Sequence, residues 1–371
     1  MTEIQQNGSG SQRTDSVLGL IDGAWGEIAL VSKEIEDQRK VASDVSYSLE
    51  ERLEAYEDII DSEVGDTSLV RARNVEREMG LRQIFLKFEG GNPTGTQKDR
   101  IAFAQVMDAM RRGFEAITMA TCGNYGVAMA LAAHLAGIRC VIFIPADYHT
   151  QRINEITDLG AEIKRAQGDY ERTVEESQRY ALKKEIYDAN PGGDNTALQL
   201  RAYGQIAYEI YDELRDAPQI VAVPVSNGTT LAGIYRGFLS LYRRGKTSRL
   251  PRIVAGSSFM KNPIIQAYLK NLTTCEDLKP ELIHETKINE PLINWRSIDG
   301  DYALDAIRQT YGWAANASDK AMMALSRMIR EREGLHVLPA STAGLFALVE
   351  RHQKEALPND RYVAVLTGRK S

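Results

Sequence analysis

The sequence predicts an α/β fold with two domains, built from open parallel twisted sheets flanked by helices. From about residue 83, short apolar runs rich in Ile, Val and Phe alternate with longer amphipathic stretches. This alternation is typical of parallel strands joined by crossover helices. A chain of 371 residues is also long enough to form two domains with separate cores.

Composition and charge exclude several classes of partner. The net charge of −6 argues against a nucleic-acid partner, because phosphate-backbone binding needs a concentrated excess of Lys and Arg. No apolar stretch approaches the length of a membrane span, and the first residues lack the pattern of a signal sequence. The three cysteines form no CxxC pair, so we expect a cytoplasmic protein without disulfides and predict no metal site.

The N-terminal segment differs from the rest of the chain. Residues 1–15 are polar and rich in Gln, Ser and Gly, so we expect a disordered tail there. Residues 16–60 alternate apolar and charged positions at helical spacing, which predicts short helices packed on the body.

The apolar runs predict eight strands and the intervening segments predict helices. One helix is well delimited, since Ser318 can cap its start and Gly334 can end it in a left-handed conformation. Open parallel sheets bind ligands at the carboxyl ends of their strands. The predicted strands are residues 84–88, 116–120, 140–145, 161–166, 185–189, 220–225, 252–257 and 362–366.

The loop GGNPTGTQKDR (90–100) follows the first of these strands. Its glycines, Asn, Pro and Thr are turn formers, and Lys98 stands where the loop becomes a helix. Taken alone, Lys98 is equally consistent with an ordinary solvated lysine at a helix start.

Two further junctions join a strand to a helix through small residues. TCGNYG (121–126) follows the strand 116–120, and the unpaired N–H groups of such a helix start attract an anion such as a carboxylate. The alternative is a tight turn that needs glycine. SNGTTLAG (226–233) follows the strand 220–225 and adds hydroxyl donors, which suit a phosphate monoester.

The last predicted strand places a hydroxyl, that of Thr367, at its carboxyl end. The chain therefore combines a lysine, a cradle for a carboxylate, a cradle for a phosphate and a strand-end hydroxyl. A lysine amine forms an imine with an aldehyde, and pyridoxal 5′-phosphate (PLP) carries both an aldehyde and a phosphate. These junctions predict a PLP enzyme.

The same motifs resemble those of the fold-type II (tryptophan-synthase-β-like) family of PLP enzymes, among which the chain is most similar to threonine synthases. The likeness covers about residues 60 to 368. EGGNPTGTQKDR resembles the NPTGSFKDR lysine motif, TCGNYG resembles SSGNTG, and PVSNGTTLAG resembles the phosphate loop PVGNGGNLAG. GDTSLVRARNVEREMG (65–80) resembles the family's first strand, EGLHVLPASTAGLFAL (333–348) its EGxxxEPASAA segment, and LTGRK its C-terminal LTGxG.

This resemblance implies a role for each matching residue. Lys98 would be the catalytic lysine, which binds the cofactor aldehyde and later moves the proton. Asn124 would bond the cofactor's 3′-oxygen, and Thr367 would face its pyridine nitrogen. The cofactor phosphate would be bound by Ser226, Asn227, Gly228, Thr229 and Thr230. The backbone of Thr121, Cys122 and Gly123 would hold the substrate carboxylate.

The resemblance also implies an amino-acid substrate with a phosphorylated or acylated side chain. NTALQLRAYGQIAYEI (195–210) is similar to NPxRLEGQKTAAFEI, which puts Arg201 at the family's phosphate-binding arginine. An ordinary surface residue is the alternative for Arg201. For a threonine synthase the reaction would convert O-phosphohomoserine and water to threonine and phosphate.

Departures from the family pattern leave the reaction open. Gln97, Cys122 and Ser226 replace residues common in the family, as do Tyr203, Ile206 and Ala207 in the EGQKT stretch. The alternatives are β-replacement or β-elimination, as in cysteate synthases, diaminopropionate synthases or threonine dehydratases. A protein of another class, which binds PLP or an amino acid without catalysis, is a further alternative.

The resemblance implies a division of the chain as well. We expect a large PLP-binding domain formed by residues 16–102 and 205–371, and a small mobile α/β domain formed by residues 103–204. The family's habit favours a homodimer.

Overall fold

The computed structural model describes residues 31–121, 123–146 and 152–370. The predicted tail 1–15, residues 16–30 of the predicted helical segment, and Cys122 lie outside the described residues. No helix within the described ranges is both long enough and apolar enough to cross a membrane.

Two N-terminal helices pack on the body, α1 (Val31–Ser43) and α2 (Leu49–Glu63). The start of α2 is fixed by a capping box, because the side chains of Ser48 and Glu51 each accept from the backbone N–H of the other residue. The buried hydroxyl of Tyr56 on α2 donates to the carbonyl of Ala132, 3.1 Å away.

A six-stranded sheet forms the first layer. In spatial order its strands are β1 (Leu69–Arg71), β2 (Ile84–Phe88), β10 (Tyr362–Leu366), β7 (Ile220–Pro224), β8 (Arg252–Ser258) and β9 (Ala314–Ala317). Only β1 is antiparallel to its neighbour, and the other pairs are parallel. The parallel strands are buried along nearly their whole length, as expected for a sheet covered on both faces.

A second sheet has four parallel strands. Their order is β5 (Glu162–Ala166), β4 (Arg139–Pro145), β3 (Ala116–Ala120) and β6 (Tyr187–Asp188). All four strands lie between residues 103 and 204, but both predicted domain boundaries fall inside helices, 98–111 and 196–214. The division into two domains stays a prediction.

Helices connect and cover the strands. They are α3 (Arg73–Met79), α4 (Lys98–Arg111), α5 (Asn124–Ala136), α6 (Ile153–Asp158), α7 (Tyr170–Lys184), α8 (Thr196–Leu214), α9 (Thr229–Arg243), α10 (Pro263–Leu269), α11 (Gly300–Gln309), α12 (Asp319–Glu333) and α13 (Ala343–Lys354). The predicted ends of α12 are confirmed: the Ser318 side chain accepts from the N–H of Ala321, and Gly334 has a φ of 74°.

All eight predicted strands are present, with small shifts at their ends. The strand predicted at 185–189 is reduced to two residues, 187–188. The strand β9 was missed, because its sequence AANA has neither bulk nor alternation to separate it from a loop.

The helices α8 and α9 approach closely where both lack side chains. A Cβ added at Gly237 of α9 would lie 2.5 Å from the carbonyl oxygen of Gly204 on α8. A Cβ added at Gly233 would lie 2.7 Å from the Cβ of Tyr203. Glycine at these positions lets the α8 side chains reach toward the start of α9.

A buried network of charges joins β2, α4 and α8. Arg100 forms ion pairs of 2.6 Å with both Glu89 and Glu209, and Lys87 also pairs with Glu209. Burial alone would raise the pKa of Glu209, but hydrogen bonds and charge from Arg100 and Lys87 outweigh it and hold that pKa at about 2. Thr67 donates a further hydrogen bond of 2.7 Å to Glu89. We call Lys87, Glu89, Arg100 and Glu209 the charge network.

We predict that replacing Arg100 destabilises the protein strongly. The substitution Arg100→Leu leaves Glu89 and Glu209 buried without their main partner, which costs about 3–5 kcal/mol of the free energy of unfolding. Urea unfolding of the cofactor-free protein measures this loss. Arg139→Leu is the matched control, because the Arg139–Glu162 pair is about half exposed and contributes about 0–1 kcal/mol. Equal losses in the two variants would contradict the role of the charge network.

Candidate active site

Three loops meet at one edge of the six-stranded sheet. The strands β2, β10 and β7 are parallel neighbours, so the segments after them leave the sheet on the same side. These segments carry Lys98, Thr367 and the loop 226–230. The N–H of Gln97 donates to the carbonyl of Thr367 at 3.0 Å, which brings the strand-end hydroxyl next to the lysine loop.

Lys98 is the first residue of α4 and is half-buried. Its loop turns at Gly95, whose φ of 85° favours glycine. The loop is closed by Asp99, whose carboxylate accepts from both the N–H and the hydroxyl of Thr94 at 3.0 and 2.8 Å. The predicted lysine is thus held in a rigid turn between two packed elements.

Burial changes the protonation of both neighbouring groups. It lowers the pKa of the Lys98 amine to about 8, because a charged ammonium loses hydration there. It raises the pKa of Asp99 to about 7, although the hydrogen bonds from Thr94 oppose this shift. With such a pKa, roughly a tenth of the Lys98 amine is neutral at pH 7, far more than for an ordinary lysine, and the neutral form can act as a nucleophile or base.

The turn 121–126 lies at the end of β3 and starts α5. The N–H of Thr121 donates to the carbonyl of Phe143 at 3.0 Å, and the N–H of Gly123 donates to the Thr121 hydroxyl at 3.3 Å. The N–H of Thr121 is therefore not free to hold a carboxylate. The prediction for Cys122 falls outside the described residues.

Two residues of α5 face the lysine loop. The Lys98 amine lies 5.7 Å from the ring centre of Tyr125. Asn124 does not stand alone, because its side-chain oxygen accepts from Arg152 at 2.7 Å, and Arg152 also donates to the carbonyl of Thr94 at 3.2 Å. Arg152 thus connects the turn at 121–126 to the lysine loop.

In the loop between β7 and α9, the carbonyl groups are bonded to the segments at 262 and 297–299. The carbonyl of Ser226 accepts from Asn262 and Ser297 at 2.9 and 3.1 Å, and that of Asn227 accepts from the N–H of Asp299 at 3.0 Å. In a trans peptide the next N–H points the opposite way. The N–H groups of residues 227 and 228 therefore point away from those segments. The first turn of α9 adds further N–H groups without a partner inside the helix.

Gly228 has a structural reason to be glycine. Its φ is 93°, and an added Cβ would lie 2.8 Å from the carbonyl oxygen of Asp299 and 2.9 Å from the Cβ of Ala303. The hydroxyl of Thr229 donates to the carboxylate of Asp299 at 2.6 Å, whereas the hydroxyl of Thr230 lies beside that of Tyr203.

Thr367 lies beside a second hydroxyl. Its Oγ1 is 3.2 Å from the Oγ of Ser341, and Ser341 also accepts from the N–H of Gly368 at 3.1 Å. Both groups are neutral, so this end of the site presents hydroxyls rather than a carboxylate.

The structure does not bring Arg201 to the residues described above, and its role in binding a substrate phosphate stays a prediction. Arg201 is exposed on α8, where it lines a shallow groove with Tyr208 and Arg236. Gln199 and Tyr203, which are buried, lie on the opposite face of that helix.

Four residues near the site were not singled out from the sequence: Tyr125, Arg152, Asp299 and Ser341. Tyr125 and Ser341 lie in matched motifs, so their hydroxyls were a usable signal. Arg152 and Asp299 lie in segments without a motif, and only the folded chain brings them to the loops.

A family comparison decides the identity of this arrangement. The model for "Pyridoxal-phosphate dependent enzyme" matches residues 60–368. The chain belongs to this family of PLP-dependent enzymes. The predicted family, fold class and cofactor are confirmed.

The most similar curated relatives that we compared are threonine synthases. That of Methanocaldococcus jannaschii is 28% identical over 307 residues, which cover 82% of this chain and 74% of the relative. That of Mycobacterium tuberculosis is 29% identical over 290 residues, covering 77% of this chain and 76% of the relative.

Solved structures share the fold at low identity. Maize serine racemase has a TM-score of 0.69 at 18% identity, covering 89% of this chain and 96% of that one. Threonine deaminase isoform 2 of Solanum lycopersicum has a TM-score of 0.70 at 14% identity, covering 89% and 92%.

The described residues fit the cofactor of this family. The half-buried amine of Lys98, with its lowered pKa, is available for an aldehyde. The N–H groups of the loop 227–230 are available for a phosphate. The side-chain oxygen Oε1 of Gln97, the residue before Lys98, is buried without a hydrogen-bond partner. A ligand bound beside Lys98 is one way to complete the hydrogen bonds of such an atom.

We predict that cofactor capture depends on pH through Lys98. Because burial lowers the pKa of Lys98 to about 8, the amine is protonated below that pH and reacts slowly. The rate at which cofactor-free protein takes up PLP should rise about tenfold per pH unit up to about pH 8, and then level off. Stopped-flow absorbance measures this rate. A rise that continues above pH 10, as for free lysine, would contradict the shift.

We also predict that Gly228→Ala weakens PLP binding. The added methyl group meets the backbone of Asp299 and forces the loop from its conformation, so affinity should fall by roughly tenfold or more. Gly245→Ala is the matched control, because Gly245 also has a positive φ, 66°, but has open space around it. Fluorescence titration with PLP measures both. Equal affinities in the two variants would show that the loop does not bind the cofactor.

Proposed function

We propose that the protein is a PLP-dependent lyase or replacement enzyme that acts on an amino acid with a leaving group on its side chain. The observation that carries the proposal is the Lys98 amine, which is half-buried, has its pKa lowered to about 8, and lies at the sheet edge that also carries the loop 226–230. The threonine synthase relatives support the same class of chemistry.

The chemistry follows from groups placed at fixed positions. When bound, PLP supplies an aldehyde that captures an amine and a conjugated ring that stabilises negative charge at the substrate Cα. Lys98 is the base that removes the Cα proton and returns it elsewhere, because burial lets its amine lose a proton far more readily than an ordinary lysine does. The amide groups of residues 227–230 hold the phosphate without needing a cation.

The hydroxyls of Thr367 and Ser341 serve the pyridine nitrogen in this proposal. A neutral hydroxyl leaves that nitrogen largely unprotonated, whereas a carboxylate would keep it charged. An uncharged pyridine ring withdraws electrons less strongly. This favours elimination and replacement over reactions that need a long-lived carbanion. In this proposal Asn124, which is bonded to Arg152, also bonds the 3′-oxygen, and the start of α5 holds the substrate carboxylate.

The first candidate reaction is that of a threonine synthase, the name of the relatives above. In this reaction O-phosphohomoserine and water give threonine and phosphate. The second candidate is β-elimination or β-replacement, of the kind carried out by threonine dehydratases, cysteate synthases or diaminopropionate synthases. One observation favours the second: Arg201, the arginine expected to hold a substrate phosphate, is exposed on the far face of α8.

A non-catalytic protein that binds PLP or an amino acid is the alternative from another class. The intact Lys98 and its lowered pKa argue against it, because binding alone needs no base beside the cofactor aldehyde. The proposal includes a cytoplasmic homodimer, which the family's habit favours.

We predict that Lys98→Ala removes both the visible absorbance of bound PLP and the activity. Without the amine no imine forms and no base remains, so kcat should fall by at least roughly a thousandfold. The spectrum and the turnover of the purified variant measure this. Lys246→Ala, at an exposed lysine, is the control and should keep both. Unchanged absorbance and activity in Lys98→Ala would rule out the proposed function.

One comparison of four substrates distinguishes the two candidate reactions. Release of phosphate is measured from O-phosphohomoserine and O-phosphoserine, and formation of 2-oxo acid from serine and threonine. Phosphate from O-phosphohomoserine with threonine as product selects the first candidate. Oxo-acid formation without that release selects the second.

A further inference from the structure

The guanidinium of Arg152 joins three separate parts of the chain. One edge of it forms two hydrogen bonds with the carboxylate of Glu155, at 2.9 and 2.7 Å. It also donates to the side-chain oxygen of Asn124 at 2.7 Å and to the carbonyl of Thr94 at 3.2 Å. A planar guanidinium that is held along one edge by a carboxylate has little freedom to turn. Arg152 is therefore a rigid link between α6, the start of α5 and the lysine loop.

The contact with Arg152 determines how the amide of Asn124 is oriented. A guanidinium offers only donors, so the atom of Asn124 that faces it must be the oxygen Oδ1. The nitrogen Nδ2 consequently lies at the other edge of the amide. Among the described residues, Nδ2 donates to no other group. Asn124 thus presents a donor, and not an acceptor, to a ligand.

The same arginine relates this donor to Lys98. The carbonyl of Thr94 accepts from Arg152, and Thr94 in turn donates to Asp99, the residue after Lys98. In PLP the aldehyde and the 3′-oxygen are on neighbouring ring carbons. A group that binds the 3′-oxygen must therefore lie at a fixed place relative to the amine that takes the aldehyde. Because Arg152 contacts both loops, it can maintain this relation.

We propose that Arg152 is a positioning residue for the cofactor, which holds the Asn124 amide so that Nδ2 donates to the 3′-oxygen. Arg152 acts through Asn124 and not by its own contact with PLP. The inference rests on the proposed function, in which Asn124 binds that oxygen. A purely structural arginine, which only fixes the start of α6 to the lysine loop, is the alternative.

The orientation of the amide has a consequence that can be measured. A donor at the 3′-oxygen stabilises the anionic form of that oxygen. Without Arg152 the amide can rotate by half a turn, and its own oxygen would then face the 3′-oxygen and repel the anion. The neutral, protonated form of the 3′-oxygen should become more populated.

The test uses the spectrum of bound PLP, which a general loss of stability does not alter. Bound PLP absorbs visible light when its 3′-oxygen is anionic and near-ultraviolet light when that oxygen carries the proton. We measure the ratio of the two bands and the dissociation constant of PLP in the wild-type holoenzyme, in Arg152→Gln and Arg152→Met, in Asn124→Ala, and in the double variant Asn124→Ala with Arg152→Met. Arg179→Met is the matched control, because Arg179 is exposed on α7 and donates only within its own helix.

Both Arg152 variants should lower the ratio of visible to near-ultraviolet absorbance by at least about twofold. Glutamine is included because its amide can donate or accept, so it no longer forces one orientation on Asn124. PLP binding should weaken by about threefold to tenfold, the range for one lost hydrogen bond. Arg179→Met should retain the wild-type ratio and affinity.

The double variant distinguishes positioning from a structural role. Asn124→Ala should lower the band ratio at least as much as the Arg152 variants do. Adding Arg152→Met to Asn124→Ala should lower the ratio no further, because a residue that acts through Asn124 has no effect once that side chain is removed.

Three results would overturn the inference while the proposed function stands. The first is a wild-type band ratio in both Arg152 variants. The second is an additive loss in the double variant. The third is a failure of both Arg152 variants to bind PLP when Asn124→Ala still binds it, because a residue that acts through Asn124 cannot matter more than Asn124 itself.

Failure of the proposed function is seen separately. An unchanged ratio in Asn124→Ala would refute the contact with the 3′-oxygen, and with it the inference. A wild type with neither a visible band nor turnover on any of the four substrates above would refute the proposed function as a whole.

Discussion

The position of Lys98 depends on the buried charge network two residues away. Arg100 is locked between Glu89 at the end of β2 and Glu209 on α8, so the first turn of α4 cannot shift without separating buried charges. Such pairs contribute little net stability, but breaking one is costly. The network therefore acts as a positional constraint: it holds the lysine amine at the edge where three parallel strands end.

The remaining parts of the site lie at the same edge of the sheet. Parallel neighbours β2, β10 and β7 bring the lysine, the hydroxyl of Thr367 and the phosphate cradle to one side. The glycines at the α8–α9 crossing bring the buried face of α8 against the same place. One side of the site consequently offers backbone amides for an anion.

Much of this arrangement could be predicted from the sequence, for identifiable reasons. Buried parallel strands are continuous apolar runs, so residues 220–224 and 362–366 were recognised, while the small and polar β9 was not. Lys98, Gly228 and Thr367 stand in local motifs at strand ends. Arg152 and Asp299 acquire their positions from contacts with distant segments, and the role of Arg201, which is exposed on α8, stays a prediction.

The central claim is that the Lys98 amine is the group that captures the cofactor aldehyde. Borohydride reduction of the holoprotein, followed by digestion and mass spectrometry, tests it most directly, because the reduced bond is permanent and can be assigned to one residue. The account predicts a single phosphopyridoxyl adduct on the peptide that contains Lys98. An adduct on another lysine, or none at all, would contradict it.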